Sequence, residues 1–167
     1  MKHPDDISIT PDSIRSILVV CTGNICRSPM GEAVLRERLK EEDYRLVEVS
    51  SAGVLNLLNE PASALAIEAC RNIGIHIKKH KSSPLTPQRV QSADLILAME
   101  THHLDFIAMQ YPNAVKKSFL LGAFTDDPKG GEIDDPIGMS MNFYVETLAK
   151  IRRSVDGFVE WMNHAKS

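Results

Sequence analysis

The sequence predicts an α/β fold built on a doubly wound parallel sheet. Short apolar runs of β type alternate along the chain with amphipathic helical stretches. Two of those runs, 17–21 and 95–99, are almost unbrokenly apolar, as strands buried on both faces must be. No repeat, low-complexity tract or internal linker divides the chain, and 167 residues suit one domain with a proper core.

Taken in order, residues 1–15 form a polar N-terminal extension, flexible or lightly docked, and 16–167 form the domain. Strand 17–21 is followed by helix 29–41, where Met30, Val34, Leu35 and Leu39 lie among charges. Ser28 suits the N-cap of that helix and Pro29 its first position. A second, mixed strand covers 46–50, with Leu46, Val47 and Val49 around Glu48. Helix 61–73 opens at Pro61, ends before Gly74 and gathers Ala62, Leu65, Ala66, Ala69 and Ile73 on one face. Strand 95–99, a short helix 101–110 and a strand 118–121 follow. The last helix, 139–164, is the clearest, because Leu148, Ile151, Val155, Phe158 and Met162 recur at steps of three and four.

The balance of 19 basic and 22 acidic residues gives a formal charge of −3, which argues against broad electrostatic binding to nucleic acid. The apolar runs are too short to span a bilayer, so no membrane association is expected. The polar N-terminus has no apolar core of a secretory signal. Three cysteines make an odd, low count, unlike a disulfide framework, and a reducing, cytoplasmic setting follows.

The chemistry is written between the first strand and the first helix: Cys21, Thr22, Gly23, Asn24, Ile25, Cys26, Arg27, Ser28. A strand-to-helix loop lies at the carboxyl end of the sheet, where open α/β folds place ligands. Gly23 lets the backbone approach closely, and Asn24 tolerates unusual dihedrals while tying the loop with its side chain. Backbone N–H groups and the helix N-terminus make such a loop an anion pocket, and Arg27 adds a two-pronged donor. The same positive field favours the thiolate of a cysteine at its base, and Ser28 is placed to hydrogen-bond the sulfur. Two blander readings compete. Cys21 alone would be a buried structural thiol, and Cys21 with Cys26 has a permissible metal-ligand spacing. No second Cys/His pair follows at a zinc-site separation, so no metal is expected. His76, His80, His102 and His103 read as surface or packing histidines.

The stretch 21–32, read together with Asp134-Asp135-Pro136-Ile137-Gly138 before the last helix, resembles the low-molecular-weight protein tyrosine phosphatases, in a bacterial-type member. Ser51-Ala52-Gly53 and Ala93-Asp94-Leu95-Ile96-Leu97 extend the resemblance, which covers roughly 15–164. It implies a Rossmann-like, three-layer αβα fold with a four-stranded parallel sheet and a phosphate-binding loop after the first strand. It implies metal-independent, cofactor-free hydrolysis of a phosphorylated protein, with Cys21 as nucleophile, Arg27 holding the phosphoryl oxygens and Asp135 as general acid; inorganic phosphate is the product. Asp127, in Asp126-Asp127-Pro128, is the fallback acid, since Asp-Pro also starts turns well. The resemblance also implies that Ser51 and His80 support Asn24. Cys26 is either a redox partner of Cys21 or a small apolar residue lining the pocket. Cys70, on a helix face, reads as core.

The phosphate's carrier is harder to read. Eukaryotic relatives place aromatic residues after Asp-Pro, whereas this chain has Ile137-Gly138-Met139, and its loop after Gly53 is also aliphatic, with Leu57 and Leu58. Bacterial relatives that act on phosphoarginine carry threonine where this chain has Ile25. Ile25 cannot hydrogen-bond, which favours phosphotyrosine with phosphoarginine as the alternative. An arsenate-reductase reading lacks the necessary further cysteines. A non-enzymatic oxyanion-binding module would need neither Cys21 nor Asp135.

Overall fold

A computed structural model describes residues 3–128 and 130–165. Four strands form one parallel sheet: β1 (Ser16–Cys21), β2 (Glu48–Gly53), β3 (Leu95–Ala98) and β4 (Ser118–Leu120), in the spatial order β2-β1-β3-β4. Among the described residues, five α-helices accompany them: α1 (Arg27–Glu41), α2 (Ala64–Arg71), α3 (Pro87–Ser92), α4 (Thr101–Gln110) and α5 (Met141–His164).

Alternate side chains of β1 face opposite layers, as strand geometry requires. Ile17, Val19 and Cys21 join α1, α2 and α5 in the larger core, with Met30, Leu35, Ile151, Val155 and Phe158. Leu18 and Val20 face α3 and α4 on the other side, with Val90, Ile96 and Ile107. The strand order reverses at β1, with β2 on one flank and β3 on the other, so the loop leaving β1 stands at the topological switch point.

Several expected boundaries move. α1 begins at Arg27, two residues earlier than predicted, and Cys26 occupies its N-cap position without a side-chain cap. Ser28 therefore does not cap; its hydroxyl lies in the first turn against Cys21. β2 runs 48–53 rather than 46–50, because Leu46 is 80% exposed on the turn that precedes the sheet. α2 starts after Ser63, whose hydroxyl accepts from the Ala66 N–H, while Pro61 sits earlier in a bridge to Lys81. Gly74 closes the segment with φ 80°, which glycine adopts freely. The short α3, capped by Thr86, has no counterpart in the sequence pattern. The N-terminal extension is docked where described: Pro11 and Ile14 are buried, and Ile7 and Ile9 pack against the larger core. Among the described residues, no helix is long and apolar enough to cross a membrane.

Candidate active site

β1 delivers Cys21, 2% exposed, to the start of the loop. The backbone N–H groups of residues 22–26 donate to no acceptor among the described residues, so they remain available to an anion. Asn24 holds the left-handed conformation, φ 57°, and every polar atom of its fully buried side chain is engaged. Its Nδ2 donates to Ser28 Oγ (2.8 Å) and Ser51 Oγ (2.9 Å), and its Oδ1 accepts from the Ser83 N–H (3.0 Å). The Asn24 carbonyl pairs with His80 Nε2 at 2.8 Å. Ser51 in turn donates to Glu32 at 2.9 Å. Side chains from α1, β2 and the segment after α2 thus hold the loop in a shape an unsupported chain would leave. The network ends at Ser28 Oγ, which lies 3.0 Å from Cys21 Sγ.

Arg27, the first residue of α1, is 1% exposed. Its NH1 donates to Glu100 Oε2 (2.6 Å) and to the Ile133 carbonyl (2.8 Å). Its NH2 donates to Thr22 Oγ1 and faces Asp135 Oδ2, both at 3.3 Å. Its Nε is buried with no partner among the described residues. A buried N–H without an acceptor is costly, and this one belongs to the cation beside the loop. Burial alone would raise the Glu100 carboxyl, but the hydrogen bond and charge of Arg27, with help from His102, hold it below its ordinary range.

Asp135 is about one-third exposed beside Arg27, and its Oδ1 accepts from the Ile137 N–H. Asp127 is paired instead with Lys150 of α5 at 2.7 Å, so its Asp-Pro turn is fastened to that helix. The sequence reading takes Asp135 as the acid and Asp127 as the fallback; the structure puts Asp135 beside Arg27.

All three cysteines are free thiols. Cys26 is buried, with its sulfur 3.3 Å from Ser63 Oγ and 3.5 Å from the Tyr144 hydroxyl, and burial pushes its thiol up. Cys70 lies in the core, and burial pushes it to about 12. Ile25 and Leu57 flank Gly23, each 3.7 Å from the position a Cβ there would take, and give the loop an aliphatic wall.

The sequence reading missed two residues. Nothing local in the sequence singles out Glu100, and His103 reads there only as a surface or packing histidine. His103 is fully buried, and its Nε2 lies 2.8 Å from Thr22 Oγ1. Glu100 is the N-cap of α4 and His103 lies in its first turn, and only the pairing of β3 with β1 brings them here. Glu100, His102 and His103 also place metal-ligating atoms within 4.8 Å of one another. They make a poor metal site, because both His103 nitrogens and Glu100 Oε2 already serve Thr22, the Glu100 N–H and Arg27.

The fold and site together define an α/β protein with an anion-binding loop at its switch point and a cysteine at the base of that loop. The family model for the low molecular weight phosphotyrosine protein phosphatases matches residues 16–167, and the chain belongs to that family. It is 39% identical over 139 residues to the low molecular weight protein-tyrosine-phosphatase Etp of Escherichia coli (strain K12), covering 83% of this chain and 88% of that one. It is 40% identical over 131 residues to the protein-arginine-phosphatase of Bacillus subtilis (strain 168), covering 78% and 85%. Among solved structures, the tyrosine phosphatase Wzb from Escherichia coli K30 in complex with sulphate superposes with a TM-score of 0.81 at 35% identity, over 88% of this chain and 97% of that one.

Proposed function

We propose that the chain is a cysteine-dependent phosphatase that hydrolyses protein phosphotyrosine in a reducing, cytoplasmic setting. The observation that carries the reading is the buried Arg27 Nε, without a partner among the described residues, beside the free N–H groups of the loop, with Asp135 3.3 Å from the same guanidinium and Cys21 3.0 Å from Ser28 Oγ. The phosphoryl oxygens take the Arg27 Nε–H and the loop N–H groups, which stabilise the charge of the transferring group without a metal. Cys21 sulfur attacks phosphorus in line, the P–O bond to the leaving group breaks, and Asp135 gives that oxygen its proton. Ser28 donates to the sulfur, steadying its negative charge before attack and again when it leaves. Water then attacks the phosphocysteine. Asp135, now a carboxylate, takes the water's proton, the S–P bond breaks, and phosphate departs.

The aliphatic wall of Ile25 and Leu57, with the exposed Leu58 beside Leu57 in sequence and the exposed Ile137 two residues after Asp135, suits the face of an aryl ester and offers no hydrogen bond to a guanidinium. The reading is tested with phosphotyrosine and phosphoarginine peptides in the presence of a chelator, using the parent, Cys21→Ser and Ile25→Thr. The parent is expected to prefer phosphotyrosine and Ile25→Thr to shift toward phosphoarginine. Cys21→Ser is expected to bind phosphate yet lose roughly a thousandfold or more in turnover. A parent preferring phosphoarginine overturns the substrate assignment, and one that binds phosphate without turnover is an oxyanion-binding module.

A further inference from the structure

His103 sits two residues into α4, fully buried, and both of its ring nitrogens are used. Nδ1 accepts from the Glu100 backbone N–H at 3.1 Å, so Nδ1 carries no proton. The single proton of a neutral ring is then on Nε2, and Nε2–H donates to Thr22 Oγ1 at 2.8 Å. The Thr22 oxygen also accepts from Arg27 NH2 at 3.3 Å. The ring therefore links the two supports of the guanidinium: on one side Glu100, whose carboxylate holds NH1, and on the other Thr22, which holds NH2.

From this geometry we propose that His103 is a positioning residue, which fixes the Thr22 hydroxyl oxygen and through it the plane of Arg27, so that Nε–H faces the anion. A packing histidine would need neither a fixed tautomer nor a polar partner on the phosphate-binding loop. The groups around the ring suit a neutral donor. Burial, then the positive charges of Arg27 and His102, push His103 down to about 3, against the weaker opposing pull of Glu100 and Glu132. The donor is present near neutral pH, where carboxylate and guanidinium are both charged. Threonine at position 22 and histidine at 103 act as one unit, 81 residues apart in sequence.

The kinetic arm rests on the phosphatase reading; a binding arm does not. Asparagine reproduces the acceptor at the Nδ1 position and glutamine the donor at the Nε2 position, so the two replacements separate the helix cap from the Thr22 contact. In His103→Asn, kcat on p-nitrophenyl phosphate is expected to fall about tenfold or more, with affinity for inorganic phosphate falling in parallel and thermal stability near that of the parent. His103→Gln is expected to keep both within about threefold of the parent. Thr22→Val should cost as much as His103→Asn, and the double variant no more than either. The proposal is overturned if glutamine loses as much as asparagine, if the losses at 22 and 103 add, or if 15N NMR shows the ring protonated on Nδ1 near neutral pH. If the parent does not turn over, the phosphatase reading fails by itself, and phosphate affinity and tautomer decide the role of His103.

Discussion

Arg27 keeps a full positive charge almost entirely out of water, and the groups that allow it are few: Glu100, the Ile133 carbonyl, Thr22 and Asp135. Removing one partner of such a pair leaves the other charge under-compensated, which costs far more than a surface ion pair is worth. Glu100→Gln keeps the shape but removes the charge, and is expected to lower stability by about 2 kcal/mol near neutral pH, read by urea unfolding. The pH dependence has a definite sign. Because the folded carboxyl lies below its ordinary value of 4.5, its contribution is present above that value and is lost as pH falls through the lower folded one. The gap between parent and variant should therefore be widest near neutral pH and close in acid; a gap constant with pH would disprove the charge pairing. Cys21, Arg27 and the loop were legible because one short stretch carries them. Glu100 and His103 were not, because they lie 73 and 81 residues from their partners and reach the loop through strand order alone.

Elements meet the loop most tightly at the end of β2. A Cβ on Gly53 would come within 2.7 Å of the Thr22 carbonyl oxygen, 2.9 Å of the Gly23 carbonyl carbon and 3.0 Å of the Asn24 nitrogen, all backbone. Gly31 on α1 looks similar, but its nearest neighbours are the tips of Met99 (2.9 Å) and Val19 (3.2 Å), and the methionine can move. Gly53→Ala is expected to displace the loop, costing roughly 1–3 kcal/mol of stability and at least about tenfold in kcat. Gly31→Ala should change stability by less than about 1 kcal/mol, because the helix gains what the contact loses, and should leave kcat within about twofold. Equal kinetic losses in the two variants would show that the loop is not set by β2. Periodicity found the existence of β2 but misplaced it, since its apolar letters include the exposed Leu46 while Ser50, Ser51, Ala52 and Gly53 form its carboxyl half, paired with Leu18, Val19, Val20 and Cys21 of β1. Small polar residues serve there because β1 and the loop lie against them, a contact that no local pattern encodes.

At the scale of the whole molecule, the formal charge of −3 gives an approaching anion no long-range welcome. Attraction has to be local, from one buried guanidinium, a row of backbone N–H groups and a helix N-terminus. A ligand held this way binds only the folded chain, because the unfolded chain has no such arrangement, and its binding energy adds to global stability. At a hundredfold excess over its dissociation constant, inorganic phosphate should contribute about 2.7 kcal/mol, or about 5–10 °C in Tm for a chain of this size. Chloride at matched ionic strength should give little of this, since screening acts on exposed charges more than on a buried one. Arg27→Lys retains the charge but lacks the Nε–H and the planar fork, so the phosphate-dependent shift should largely vanish in it. Thermal scans of parent and variant across a phosphate series check this directly. An equal shift with chloride, or an undiminished one in Arg27→Lys, would mean that general ion effects stabilise the fold, rather than an anion seated against the guanidinium.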